Sequence, residues 1–329
     1  MAFLIEFLLV LPLAVSTSSL FAPKGGACPA GFVPWPASNG TSVVCQAYEL
    51  AVQETTSFLK ENLPPFDKEN IVTLFGEPGG VDGLNMGVAS VAVNMSLDAR
   101  INTTVTPWAQ LVPKDIFNNF VVPYANLNEG RTNARALLAE ALFPILRQNK
   151  AASFDDAIGA VNGYGDASFG SVWTALSKQK IYFKSSQTPL IYDPMSVIAF
   201  GYASCTGVSV MLVDALRAVG VPARVVGTPA WHNKTENGNH NWIEAWRGAE
   251  KGWAFIEAKP AGQGETLDNP CDKWFCNKDH FPVPNDTPVY AAQFDRSSGV
   301  VYPMAWDPEN EAIPGVDRTA YYAETCSKC

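Results

Sequence analysis

Apolar residues recur at intervals of three and four along residues 205–219, in the middle of the chain. This spacing gives a helix one continuous apolar face, and Gly220 directly after it is a typical helix stop. Because the segment is more apolar than a surface helix, we expect it to lie at the centre of the fold. The inward-facing positions are Val208, Met211, Leu212, Ala215, Leu216 and Val219.

Three further segments show the same helical spacing. They are residues 46–63, the run from Asn126 to about residue 149, and residues 153–161, where Ser153 provides an N-cap. Helical or mixed segments continue to about residue 120. The N-terminal third is therefore predicted to be a mainly helical accessory region.

Four short segments have the composition or the alternation typical of strands. They are residues 181–186, residues 221–227, His240–Trp246, and Trp253 to about Glu257. The run RGAEKG separates the last two and predicts a turn between them. Residues 260–329 are rich in proline and are predicted to form a loop-like tail over the core.

Composition indicates a globular protein and argues against some functions. Hydrophobic residues make up 47% and charged residues 17% of the 329 residues, and the formal net charge is −9. This apolar content is sufficient for a core and untypical of a disordered chain. A nucleic-acid binder needs a clustered basic surface, so the acidic balance argues against nucleic acid as a partner. It also disfavours an anionic membrane, and no segment reaches transmembrane length.

The first 22 residues predict a signal peptide, because an apolar run of about a dozen residues precedes small residues suited to cleavage. A positive start is missing and Glu6 interrupts the run, so a buried core helix is one alternative. A bipartite plastid leader, suggested by Phe21-Ala22-Pro23, is another. Asn-x-Ser/Thr triplets favour the secretory pathway or secretion, as expected of a glycoprotein. They begin at Asn39, Asn94, Asn102, Asn233 and Asn285.

Six of the seven cysteines lie near the two ends of the chain, which leaves Cys205 apart. In an oxidising compartment the six would form three disulfides, with Cys28–Cys45 as the expected clip and the other pairings open. A zinc site made by the four C-terminal cysteines is the alternative that their spacing permits. Those four are Cys271, Cys276, Cys326 and Cys329.

Cys205 stands where the central helix is predicted to begin. A helix N-terminus lowers the pKa of a cysteine, and a backbone N–H at that point can stabilise an oxyanion. Cys205 is therefore a candidate nucleophile, with a buried structural cysteine as the alternative. Gln187 and Trp173 are candidates for a further oxyanion donor.

His240 begins the strand NHNWIEAW after a polar loop, and from there it can face the start of a helix. If residues 247 and 252 close the turn, Glu257 lies diagonal to His240 across the two strands. A carboxylate there would hold the imidazole in its useful tautomer. A plain surface glutamate is the alternative, and Asn239 or Asn241 could orient the ring instead.

Cys-Thr-Gly, Pro-Ala-Arg and His-x-Trp-x-Glu elements follow one another in the runs GYASCTGVSVMLVDALRAVGVPARVVGTPAW, NHNWIEAW and GWAFIEA. These runs closely resemble the transglutaminase-like superfamily, whose members share a papain-like fold. The run VVPYANLNEGRTNAR resembles the preceding segment of a microbial-type subgroup that has a helical N-terminal region. The resemblance covers about residues 105–260.

The resemblance implies an α+β fold, in which a central helix carrying Cys205 packs on an antiparallel sheet carrying His240 and Glu257. It implies that these three residues are catalytic, as nucleophile, base and orienting carboxylate. The family generally has Asp where this chain has Glu257, and the subgroup often has a carboxylate slightly further on, at Lys259-Pro260. The implied organisation is a signal peptide, a helical or mixed accessory region, a transglutaminase-like domain and a disulfide-stapled tail, at 1–22, 23–120, 121–262 and 263–329.

The implied activity is thiol-dependent acyl transfer or hydrolysis through a Cys thioester. Its expected partners are a protein or peptide with glutamine or amide groups and an amine acceptor. No cofactor is expected; some family members need calcium, but no calcium-loop motif is present in the sequence. The alternative is a non-catalytic secreted module that retains the fold and binds protein or glycan.

Overall fold

The computed structural model describes residues 20–23, 28–37, 42–76, 87–164, 169–177, 179–262, 265–284 and 286–329. Most of the predicted signal peptide, and the triplets at Asn39 and Asn285, lie outside these ranges. Within them, no helix has both the length and the apolar character that crossing a bilayer requires.

The N-terminal third combines a small antiparallel sheet with helices, so the prediction of a mainly helical region is confirmed. The buried guanidinium of Arg100 joins the two parts by donating to the carbonyl oxygens of Pro34, Ala109 and Gln110. The strands, in the spatial order β1-β3-β2, are β1 (Leu20–Pro23), β2 (Phe32–Pro36) and β3 (Ser42–Ala47). The helices are α1 (Tyr48–Glu61), α2 (Ile71–Phe75), α3 (Val88–Ile101) and α4 (Lys114–Phe120).

A second group of helices leads to the centre of the molecule. Ser153 caps one of them as predicted, because its Oγ accepts the backbone N–H of Asp156 at 3.2 Å. Two short parallel strands, β4 (Tyr182–Phe183) and β5 (Tyr202–Ala203), precede the central helix. The helices of this group are α5 (Ala134–Gln148), α6 (Phe154–Asn162), α7 (Val172–Ala175) and α8 (Pro194–Phe200).

The predicted central helix is α9 (Cys205–Ala218), and it packs against an antiparallel sheet. Nearly every residue of α9 is buried, because helices lie on one side of it and the sheet on the other. This arrangement confirms the predicted α+β fold. The strands, in the spatial order β10-β9-β6-β7-β8, are β6 (Ala223–Thr228), β7 (His240–Trp246), β8 (Trp253–Ile256), β9 (Tyr290–Ala292) and β10 (Gly315–Asp317).

The turn between β7 and β8 has the predicted register. The backbone N–H of Arg247 donates to the carbonyl of Gly252, and Trp246 pairs with Trp253. Counting along the strands, this register puts Glu257, directly after β8, diagonal to His240. The register therefore brings His240, the first residue of β7, close to Glu257 at the end of β8.

The C-terminal residues contain more regular structure than the sequence predicted. β9 and β10 extend the central sheet beyond β6, and a helix, α10 (Thr319–Cys326), follows them. The strands β9 and β10 were not predicted because three residues are too few to show an alternating pattern. Two disulfides, Cys271–Cys329 and Cys276–Cys326, attach α10 and the chain end to the preceding loop.

The start of α5 also differs from the prediction, which began this helix at Asn126. The buried carboxylate of Glu129 accepts the backbone N–H groups of Asn126 and Leu127, at 2.6 and 2.7 Å. These hydrogen bonds hold the preceding run in a loop, so α5 begins only at Ala134. A side chain that binds the backbone offers it an alternative to the helix.

Candidate active site

Cys205 is the first residue of α9, so its side chain lies at the free N–H groups of a helix N-terminus. Ser204, directly before it, is held by a hydroxyl contact with Thr188. Position 207, two residues after Cys205, requires glycine, because a Cβ there would lie 2.6 Å from both the Ala203 side chain and the carbonyl oxygen of Ile191. The Cys-Thr-Gly run therefore begins a helix whose first turn is crossed closely by the preceding loop.

The cysteine pattern follows the prediction. Cys28–Cys45 forms the expected clip, and the four C-terminal cysteines form two disulfides, so the alternative of a zinc site made by those four is wrong. All seven cysteines lie in described parts of the chain, and the remaining one, Cys205, is free and only partly buried. Nowhere in the described ranges do three His, Cys, Asp or Glu side chains form a group that could hold a metal ion.

His240 lies between Cys205 and Glu257. Its Nε2 is 2.5 Å from Oε1 of Glu257. On its other side the Cys205 thiol is close enough that the thiol and the imidazole shift each other's pKa. His240 is 5% exposed and Glu257 is fully buried. The fold thus brings together the three residues predicted from the sequence.

The backbone of Glu257 is fixed from the side of α6. Its carbonyl oxygen accepts Nδ2 of Asn162 at 2.8 Å and the hydroxyl of Tyr164 at 2.9 Å. Glu257 follows the last residue of β8, where the sheet hydrogen bonds end. These two side-chain donors satisfy the Glu257 carbonyl oxygen where the sheet has ended, and they fix the backbone from which the Glu257 carboxylate reaches His240.

Charge within this group favours a thiolate and an imidazolium. Burial by itself raises the pKa of the Cys205 thiol, but the hydrogen bond and charge of His240, together with the backbone N–H of Asn241, lower it overall. Burial likewise opposes the charged form of His240, yet the Glu257 carboxylate and the Cys205 thiol raise its pKa. Both shifts favour a thiolate–imidazolium pair, with the Glu257 carboxylate on the far side of the ring.

Asn241 has a different role from the one the sequence allowed. Its Nδ2 donates to Oγ1 of Thr206 at 2.7 Å, and its Oδ1 accepts the hydroxyl of Tyr302 at 2.6 Å. The side chain therefore fixes β7 to the start of α9, and Glu257, not Asn241, contacts the imidazole. Asn239, the other alternative, is exposed.

Of the two candidate oxyanion donors, Trp173 is excluded by its position. It is fully buried in α7, and its indole N–H donates to the carbonyl and the side-chain oxygen of Asn162. Gln187 is partly exposed and directly precedes Thr188, which contacts Ser204 at the start of α9. Gln187 thus lies in the loop that borders the Cys205 position.

Aromatic residues cover His240, and sequence analysis missed their role. The ring centroid of Trp274 lies 4.9 Å and that of Phe275 5.6 Å from the His240 centroid, and Trp231 is stacked at 6.4 Å. Nε1 of Trp274 also donates to Oε1 of Glu257 at 3.2 Å. The only sequence signal was the position of Trp274 and Phe275 between two cysteines.

Comparison with known proteins assigns the central part of the chain. Residues 169–258 match the family model of the transglutaminase-like superfamily, and this range includes Cys205, His240 and Glu257. The protein therefore contains a transglutaminase-like core, as the resemblance implied. No protein with a curated description matches the chain.

Solved structures similar to the chain share little sequence with it. The periplasmic domain of TgpA from Pseudomonas aeruginosa is 19% identical, with a TM-score of 0.29 over 46% of this chain and 48% of that one, so about half of that domain is spanned. LapG from Legionella pneumophila is 18% identical, with a TM-score of 0.23 over 48% and 70%. Red sea bream transglutaminase is 11% identical, with a TM-score of 0.27 over 48% and 31%.

Proposed function

We propose that this protein uses Cys205 as a nucleophile for acyl transfer or hydrolysis at carboxamide or amide groups of proteins or peptides. The observation that carries the proposal is the placement of Cys205 at the start of α9, beside His240, whose Nε2 lies 2.5 Å from Oε1 of Glu257. A thiolate beside an imidazolium is the activated form of a cysteine nucleophile. The match of residues 169–258 to a superfamily of generally cysteine-based acyltransferases and proteases supports it.

In the first step, the Cys205 thiolate attacks the carbonyl carbon and forms a C–S bond, and the carbonyl electrons move to oxygen. The backbone N–H groups at the start of α9 are placed to stabilise that oxyanion. His240 then donates its proton to the departing nitrogen, the C–N bond breaks, and a thioester and ammonia or an amine result.

In the second step, an amine or water attacks the thioester while neutral His240 accepts its proton. The Cys205 thiolate leaves, and the imidazolium is regenerated. Glu257 acts throughout by holding the Nε2 proton of His240, which keeps Nδ1 directed at the reacting atoms. The acceptor decides the outcome: an amine gives transamidation, and water gives deamidation or peptide cleavage.

An exported location is part of the same proposal. Three disulfides indicate an extracytoplasmic protein, because thiols in the cytosol are kept reduced. The substrates are then proteins or peptides of the secretory pathway or the cell exterior. The predicted signal peptide and glycosylation triplets are consistent with such a location.

The proposal is tested by incubating the protein with a glutamine-containing protein and a fluorescent primary amine. Amine incorporation identifies a transferase, release of ammonia alone a deamidase, and chain cleavage a protease. We expect one of these signals in the wild type and a loss of at least about 1000-fold in Cys205→Ala. If wild type and Cys205→Ala are equally inactive in all three measurements, the catalytic proposal is wrong, and a binding module that retains the fold is favoured.

A further inference from the structure

A short segment outside the matched family range covers the His240–Glu257 pair. This segment, Cys271–Cys276, is called the strap below. Nε1 of Trp274, in the strap, donates to Oε1 of Glu257 at 3.2 Å, the same oxygen that meets Nε2 of His240. The Trp274 ring also lies against the imidazole at a centroid distance of 4.9 Å and an angle of 60°. One side chain thus contacts both the base and its carboxylate.

The Glu257 carboxylate depends on few donors. It is fully buried, and its Oε1 accepts from His240 and Trp274. Its other oxygen, Oε2, has no hydrogen-bond partner among the described residues. A buried carboxylate needs donors in place of the water it has lost, and the indole N–H is one of two side-chain groups that meet this one.

The position of Trp274 is fixed from both sides. Disulfides hold both ends of the strap, through Cys271 to Cys329 and through Cys276 to Cys326. Phe275 is fully buried and stacks on Trp242 at 4.4 Å.

Lys273 adds a third attachment, because its buried ammonium group binds the carbonyl oxygens of Thr266 and Asn269. Trp274 itself is 41% exposed, so its ring separates the buried pair from solvent.

We propose that Trp274 is a positioning residue for the reaction of Cys205. Its indole N–H holds the Glu257 carboxylate on His240, its ring excludes water from that hydrogen bond, and the two disulfides of the strap set its place. This inference rests on the proposed function, since it concerns the same three reacting residues. It assigns a role to the C-terminal residues, which the family match does not reach.

The first test compares wild type with Trp274→Phe, which keeps a smaller aromatic ring and removes the N–H donor. We expect kcat for the reaction found above to fall about tenfold with KM changed less than twofold, since the loss affects the chemical step. The acid limb of the pH profile for Cys205 alkylation by iodoacetamide should move upward by about half a unit, because a carboxylate held less firmly against His240 stabilises the imidazolium less and so lowers the thiol pKa less. Trp253→Phe, a change at the far end of the same strand β8, is the matched control and should leave the profile unchanged.

The second test observes the Trp274 hydrogen bond directly, in protein that keeps Trp274. In protein labelled with nitrogen-15 at tryptophan, the Trp274 indole N–H resonance, assigned by its loss in Trp274→Phe, should shift in Glu257→Gln more than the Trp253 resonance does. An unmoved resonance, or an unchanged kcat and pH profile in a folded Trp274→Phe, would overturn the inference. An inactive wild type whose Cys205 alkylates like a free thiol would instead overturn the proposed function.

Discussion

Cys205 is reactive only if its thiol transfers a proton to His240, and buried neighbours control that transfer. The thiol lies beside an imidazole whose other nitrogen meets a fully buried carboxylate. Because the low-dielectric surroundings strengthen each charge interaction, a change at His240 changes the protonation of Cys205, and the reverse also holds. The titrations of the thiol and the imidazole are therefore coupled.

This coupling predicts the pH dependence of Cys205 alkylation. In the wild type the pKa of Cys205 is lowered and that of His240 is raised, so the thiolate–imidazolium pair exists between the two values and is lost when the thiol protonates at low pH. In His240→Asn the imidazolium is absent and burial raises the thiol pKa, so half-maximal alkylation should require a pH of about 9 or higher. Iodoacetamide rate constants measured from pH 5 to 10 would show this shift.

The control for this measurement is His232→Asn. His232 forms a similar pair, with its Nδ1 2.5 Å from Oδ2 of Asp286, but it is not among the groups that shift the Cys205 pKa. Its replacement should leave the alkylation profile in place. Equal profiles for the two histidine variants would contradict the assignment of His240 as the partner of the thiol.

Gly227 gives a second prediction, because β6 passes against the Asn241 side chain there. A Cβ on Gly227 would collide with Oδ1 of Asn241 and would lie 2.9 Å from the hydroxyl of Tyr302. Gly227→Ala should therefore displace Asn241 from Thr206, lower the free energy of unfolding by about 1–3 kcal/mol and reduce activity. Urea titration and the alkylation rate of Cys205 measure both effects.

A matched change at Gly252 separates the contact from a general effect of replacing glycine. A Cβ on Gly252, in the turn between β7 and β8, meets nothing within 4 Å, although its φ of +65° carries a strain of its own. Gly252→Ala should thus reduce stability without altering the alkylation rate of the folded protein. A normal alkylation rate in Gly227→Ala would refute the role given to Asn241.

The positions of Cys205, His240 and Glu257 in the fold could be predicted from the sequence because each has a local signal. Cys205 stands at the start of an apolar helix, and His240 and Glu257 follow from strand alternation and one short turn. Trp274 and Tyr302 lack such a signal. Tyr302 meets Asn241 across 61 residues of chain, and no periodicity encodes that contact.

Some residues of the site lie on the central helix and sheet, and others lie on segments that are attached by disulfides. α9, β7 and β8 fix Cys205, His240 and Glu257 through packing and sheet register. The strap and α10 reach the site from the C-terminal side and are held by disulfides, with Tyr322 of α10 accepting the indole N–H of Trp242 at 2.8 Å. Elements with long, clean periodicity, such as α9, were predicted almost to the residue. α5 was predicted too long because the Glu129 hydrogen bonds override local helix preference.

Removing the Cys271–Cys329 disulfide should loosen the strap and weaken the reaction. In the double variant Cys271→Ser and Cys329→Ser, the strap that carries Trp274 loses one of its two disulfides. We expect kcat to fall roughly three- to tenfold, because a looser Trp274 changes the geometry of Glu257 slightly. Stability should decrease by about 2–4 kcal/mol, because a cross-link over a long loop restricts the unfolded chain. Steady-state kinetics and thermal unfolding measure these two quantities.

The matched control is the double variant Cys28→Ser and Cys45→Ser. This disulfide links the loop before β2 to β3 of the small N-terminal sheet, and neither of its cysteines belongs to the strap. It should lower stability while the folded protein keeps its kcat. Equal losses of kcat in the two double variants would show that the strap disulfide acts only through stability.

The N-terminal helices and the transglutaminase-like core share one hydrophobic core. The buried cluster that contains α9 extends from Val33 to Ile313. The end of α9 contacts the accessory region, because Arg217 donates to the carbonyl oxygen of Phe120. Charge and composition predicted a globular protein, but this sharing depends on distant contacts that composition does not describe.

Trp108 tests whether the two regions fold together. Its buried indole N–H, in the accessory region, donates at 2.9 Å to the carbonyl oxygen of Val219, directly after α9. Trp108→Phe leaves that carbonyl without this donor and should lower the free energy of unfolding by about 1–3 kcal/mol. Urea unfolding followed by circular dichroism and by exposure of Cys205 should still give one coincident transition, shifted to lower urea in the variant.

A fragment of residues 121–329 gives the complementary outcome. Without the accessory region, the end of α9 and the apolar residues packed on it would face water, so we expect the fragment to lack a cooperative transition. Gly220, just after α9, is packed closely against the accessory region, because a Cβ on it would lie 2.6 Å from the Ala109 side chain. A fragment that unfolds cooperatively and alkylates Cys205 at the wild-type rate would show that the core folds alone and that Trp108 contributes only locally.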